Sequence, residues 1–127
     1  MAIPEHTYQR ASWEQLTKCL SWALNELQLR DWWVDLCEHD KPNEYGECET
    51  NIYRKIAKVS ANINLCKQKN RSPYSVVIHE ALHIAIKAHL NDDEVNDEII
   101  VRVLEPIMYE RFCSCNKKRI TDKTYEM

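Results

Sequence analysis

Three polar side chains interrupt the apolar run Val76-Val77-Ile78-His79-Glu80-Ala81-Leu82-His83-Ile84-Ala85-Ile86, and together they spell His-Glu-x-x-His. On a helix, His79 and His83 stand four residues apart and leave the same face about one turn from each other. Two ring nitrogens so placed can converge on one zinc ion at about 2.0–2.1 Å each. Glu80 follows the first histidine, rotated so that its carboxylate reaches a water beside the metal rather than the metal. A buried helix that merely carries these residues is the plainer reading. It would need a separate buried partner for each of the three polar groups, whereas one metal satisfies them all.

The sequence His79-Glu80-Ala81-Leu82-His83 inside an apolar helix resembles the active-site helix of the zincin metallopeptidases, over Tyr74 to about Tyr109. That is less than a third of the chain. The resemblance implies a zinc cofactor, a peptide or protein substrate, and peptide hydrolysis by a zinc-activated water with Glu80 as general base. It also implies an edge strand beside the active helix that pairs with an extended substrate, a role that falls to Lys58–Cys66. The alternative is a zincin-fold binding or regulatory module with little or no proteolysis, favoured by a short chain with no evident second lobe. Tyr74 and Tyr109 are the candidate donors for steadying an oxyanion, with Arg102 ranked after them, and the sequence does not choose.

A catalytic zinc site has three protein ligands and an open position, so a third ligand is needed. Gluzincin-like members of the superfamily take a glutamate from the next helix, and metzincins take a histidine six residues after the second one. His89 has the metzincin spacing, but Ile86 stands where that pattern places the glycine that turns the chain. If the helix continues instead, His89 lies roughly 9 Å along the axis from His83. For the glutamate pattern, two antiparallel helices turning near Asn91 bring His83 opposite Ile99 and His79 opposite Val103. Glu98 is then the nearest carboxylate, with Glu94 in reserve, and Glu105 falls beyond the site beside Pro106. Arg102, four residues after Glu98, is placed to orient it. The expected metal ligands are therefore His79, His83 and Glu98.

The elements that must position these residues are legible in part. Ser12-Trp13-Glu14-Gln15 has the form of a capping box, and Trp13, Leu16, Leu20, Ala23, Leu24 and Leu27 continue an amphipathic helix to about Arg30. Asp31–Glu38 reads as a strand with Trp32, Val34 and Leu36 on one face. Lys41-Pro42-Asn43 and Tyr45-Gly46-Glu47 have turn chemistry, and Cys48–Ala57 fits either a helix or a strand. Lys58–Cys66 alternates as a half-buried strand, followed by a charged connector over Lys67–Arg71. Ser72-Pro73 opens the active helix, which runs to about Leu90. Asn91–Glu94 recaps a second helix, expected to bend at Pro106. The expected architecture is α+β, a minimal zincin-like fold: an N-terminal helix, a small sheet of two or three strands, the HExxH helix and an antiparallel helix after it. Residues 1–112 form the domain, and 113–127 a loosely packed tail.

Composition narrows the function classes. A chain of 127 residues with 44% hydrophobic and 29% charged residues suits one globular domain. A net charge of −3 gives no reason to expect nucleic acid or an anionic membrane as partner. No run reaches transmembrane length, and Met1-Ala2-Ile3-Pro4-Glu5-His6 lacks the features of a signal peptide, so the expected setting is cytoplasmic. The six cysteines then read as reduced thiols, with Cys113-Ser114-Cys115 a weak metal or redox hint.

Overall fold

The computed structural model describes residues 13–90 and 97–115. In chain order these form α1 (Trp13–Glu26), β1 (Trp33–Glu38), β2 (Gly46–Asn51), β3 (Ile56–Ala61), α2 (Ile63–Lys69), α3 (Pro73–Leu90) and α4 (Asp97–Cys115). The class is α+β with one mixed three-stranded sheet, ordered β1-β3-β2. β3 pairs in parallel with β1 from Trp33–Ile56 to Glu38–Ala61, and antiparallel with β2 from Gly46–Ala61 to Asn51–Ile56.

α3 is the spine of the molecule because its sequence is apolar nearly all round. Val76, Val77, Ile78, Ala81, Leu82, Ile84, Ala85 and Ile86 are all buried. Such a helix has to be covered on several sides. α1 covers one with Leu16, Cys19, Leu20 and Ala23, and the sheet covers another with Ala57, Val59 and Ala61. α4 closes a third with Val101, Met108 and Phe112, the last in edge contact with Trp22 at 5.2 Å. Ser72 caps α3 as the sequence implies, its hydroxyl accepting from the Tyr74 amide at 3.2 Å. All six cysteines are free thiols. No helix among the described residues is long and apolar enough to cross a membrane.

Several expectations change. β3 stops at Ala61, so Lys58–Cys66 is not one strand, and β3 is the central strand rather than an edge. The cause is Asn62, which period-two alternation assigned to the solvent face. Its side chain caps α2 by accepting from the Leu65 amide at 3.0 Å, and it donates to the carbonyls of Lys41 and Glu44. Lys67–Arg71 is correspondingly half helical rather than a connector, since α2 ends only at Asn70 in the left-handed conformation. α1 ends at Glu26, short of Arg30, and the ambiguous stretch resolves into β2 followed by a hairpin turn. α4 passes through Pro106 and takes in Cys113–Cys115. The remainder of the expected tail, the Ser12 cap and the Asn91–Glu94 recapping turn lie outside the described residues.

Gly46 was read as turn chemistry, yet it is the first residue of β2, and no glycine here has positive φ. What it provides is room. A Cβ at this position would lie 2.4 Å from the Ser60 carbonyl oxygen and 3.0 Å from Val76 Cγ1. The missing side chain lets β2 approach α3 beside Glu80. Gly46→Ala should therefore destabilise the fold by about 1–3 kcal/mol, the usual cost of overpacking. Denaturant unfolding of the two proteins measures it, with a lowered midpoint expected at unchanged slope.

Candidate metal centre

The face of α3 that carries His79 and His83 looks across at the face of α4 that carries Asp97, Glu98 and Glu105. Each imidazole is held from behind. His79 Nδ1 lies 2.7 Å from Glu105 Oε1, and His83 Nδ1 lies 2.9 Å from Asp97 Oδ2. An ionised carboxylate only accepts, so each Nδ1 carries the hydrogen, and when the ring is neutral its Nε2 presents the lone pair. Those two lone-pair atoms are 3.2 Å apart. Glu98 completes a triangle with Oε1 3.3 Å from His79 Nε2 and Oε2 3.0 Å from His83 Nε2.

Two ring nitrogens and two carboxylate oxygens at these separations repel one another unless a proton or a cation lies among them. Ligand bonds of about 2.0–2.1 Å at tetrahedral angles imply ligand-to-ligand edges of about 3.3–3.4 Å, close to the 3.2 Å between the two Nε2 atoms. Carboxylates behind the imidazoles are the usual outer partners of metal-bound histidine. The residues thus fit a metal ion, and His79, His83 and Glu98 offer one ligand atom each within a span of 4.8 Å.

The surrounding charges follow from burial and contact. Burial disfavours the imidazolium of His79, but the Glu105 hydrogen bond and the charges of Glu80, Glu98 and Glu105 outweigh it and raise the pKa. Glu105 shows the converse. Burial pushes its carboxyl up, while the hydrogen bond from His79 and the charge of Arg71 hold it below the usual range. Arg71 grips both Glu105 oxygens, at 3.1 and 3.3 Å, and stacks over the Tyr45 ring at 4.5 Å. Glu80 is buried on the sheet side, and desolvation raises its pKa against the opposing pull of His79 and His83. The Cys48 thiol donates to that carboxylate, and burial beside the Glu80 charge pushes the thiol up to about 12.

A cavity of about 810 Å³ opens over the triangle, walled by α3, α4 and the start of β2. His79, Glu80, His83 and Glu98 all line it, so the sequence-predicted residues come together. Arg102 lines it too, with Nε 3.6 Å from Glu98 Oε1. No protein-family model matches this chain, and neither a curated protein nor a solved structure does. The site rests on its own geometry.

Other candidates fall elsewhere. α3 continues past Ile86, and His89 Nε2 hydrogen-bonds the Leu27 carbonyl at 2.8 Å, on the far side from the triangle. Glu94 lies outside the described residues. Tyr74 and Tyr109 do not line the cavity and pack instead into the core near Phe112 and Cys113. Glu105 does not fall beyond the site. It supports His79, because the two helices are offset from simple mirror pairing about Asn91. Asp97 was missed altogether. The available signal was that Asp97, Glu98 and Glu105 share one helical face, Glu98 and Glu105 two turns apart. A second group, His39, Glu44 and Glu47, also brings ligand atoms together, but both nitrogens of His39 are engaged, by Ser60 at 2.8 Å and Glu44 at 3.0 Å.

These contacts rank the variants. His83→Ala and Glu98→Ala should lose most of the bound metal, and His89→Ala should keep it. Glu105→Gln, which retains the shape but weakens the grip on His79, should reduce affinity about 10–100-fold. Elemental analysis and competitive chelator titration of the four proteins check the order.

Proposed function

We propose that this chain is a small gluzincin-like zinc metallopeptidase, with His79, His83 and Glu98 as the metal ligands and Glu80 as the general base. The observation that carries the proposal is the ligand triangle, whose two imidazoles are oriented from behind by Glu105 and Asp97. Two imidazole nitrogens and a carboxylate suit zinc, which favours nitrogen and oxygen donors in a four-coordinate arrangement. When bound, zinc supplies Lewis acidity that acidifies a water and polarises a carbonyl.

The chain's own residues do the rest. Glu80, next to a ligand but directed toward β2, takes a proton from the attacking water and returns it to the leaving amine. Arg102, at the cavity mouth and paired with Glu98, is the donor placed to steady a developing oxyanion. The extended peptide lies along β2. That strand is the sheet edge lining the cavity, and main-chain pairing there presents a scissile bond to the site.

The test separates metal holding from catalysis. Glu80→Gln should keep its zinc and its fold while losing about 10²–10⁴-fold in hydrolysis, because the amide cannot accept the water's proton. A broad peptide-library digest, run beside zinc content for both proteins, reads this out. Unchanged cleavage would remove Glu80 from the mechanism. No cleavage by either protein, with zinc fully bound, would instead favour a metal-holding binding module.

A further inference from the structure

α4 is apolar on two opposite faces. Val101, Met108 and Phe112 are buried against the body, while Ile99, Val103 and Ile107 stand 59%, 60% and 62% exposed on the other side. These three lie four residues apart and form a single ridge along the helix, flanked by the 39% exposed Leu104. Together they leave roughly 350–400 Å² of contiguous apolar surface, within the size range that marks an interaction site on a small protein. It is also about what the apolar core of an interface burying ~800 Å² per partner requires.

The ridge is its own complement. Laid antiparallel about a two-fold axis at Val103, it brings Ile99 against Ile107 of a second copy, Ile107 against Ile99, and Val103 against itself. Arg102 then faces Leu104 of that copy, where its aliphatic stem can lie on the apolar surface while its guanidinium keeps its pairing with Glu98. No like charges are opposed between positions 98 and 108. The chain's own ends make poorer covers, since residues 1–12 and 116–127 contain no two aliphatic side chains at four-residue spacing.

We infer that the outer face of α4 is the interface of a two-fold symmetric homodimer, with Val103 on the axis. The inference does not depend on the metallopeptidase reading. An isologous contact uses the same patch twice and closes on itself, so it ends at two subunits. The inner face of α4, with Asp97, Glu98 and Glu105, stays free to serve the cavity.

Sedimentation equilibrium of the full chain up to about 100 μM tests this, against Val103→Glu, in which two like charges would meet on the axis. The expected result is a dimer for the wild type and a monomer for Val103→Glu, with equal far-UV circular dichroism. The substituted side chain is already exposed, so the fold should hold. In a Val103→Cys variant, mild oxidation should link the two introduced thiols, and a peptide digest distinguishes that link from one through Cys115. A monomeric wild type overturns the inference and leaves the ridge to a different cover. A dimer that persists in Val103→Glu overturns it as well, by placing the contact elsewhere.

Discussion

Each imidazole of α3 gives its Nδ1 hydrogen to a carboxylate of α4, and the geometry nearer the cavity depends on that pair of bonds. They set the tautomer of both rings and aim both Nε2 atoms at one point. They are in turn set by how α3 and α4 pack. A slip of one residue along either helix shifts a side chain by about 1.5 Å and turns it by about 100°. Asp97, Glu98 and Glu105 would then all miss their partners. The apolar contacts of Val101, Met108 and Phe112 prevent such a slip, so an interdigitated core fixes a polar site that could not hold its own register.

The opposite wall of the cavity is set by the sheet. Gly46 allows β2 close to α3, and Asn62 ties the preceding loop by donating to Lys41 and Glu44 while its own amide donates to the Tyr45 carbonyl at 2.7 Å. Tyr45 then supports Arg71, Arg71 holds Glu105, and Glu105 holds His79. Two carboxylates on either side of the same histidine thereby acquire opposite characters. Burial lifts Glu80 toward protonation, while His79 and Arg71 keep Glu105 ionised despite its burial. The same kind of side chain is shifted in opposite directions by environment alone.

Local signals were readable where one residue determined the outcome. Ser72-Pro73 marks the start of α3, the apolar run marks its burial, and the four-residue histidine spacing marks the site. The approach of Glu98 to both histidines was reachable because antiparallel pairing across a short turn has few registers. Glu105 and Asp97 were not, since an offset of a residue or two decides which carboxylate stands behind a ring, and packing sets that offset. The sheet was harder still. Asn62 and Asn64 continue the alternation of β3 so well that only the buried capping role of Asn62 shows where the strand stops. Strand order is a non-local matter. The edge position of β2 follows from its hairpin with β3 and from the parallel pairing of β1, neither of which has a local signature.

A His-Glu-x-x-His pattern can occur by chance in a helix, so the weight lies on what the rest of the chain sends to meet it. The cavity is lined by six carboxylates, from Glu44, Glu47, Glu80, Asp97, Glu98 and Glu105, and three cations, from Arg71, Lys87 and Arg102. With neutral imidazoles that difference leaves three net negative charges around a partly buried space. Burying uncompensated charge is costly, and of these carboxylates Glu80 is the buried one. Glu105 stays ionised beside Arg71 and His79, while His79 and Glu80 are both shifted toward their protonated forms and take up part of the excess. A divalent cation at the triangle cancels two of the three charges at the point where the acceptors crowd closest. The electrostatics of the cavity are therefore compatible with the ion that the spacing of two histidines suggests.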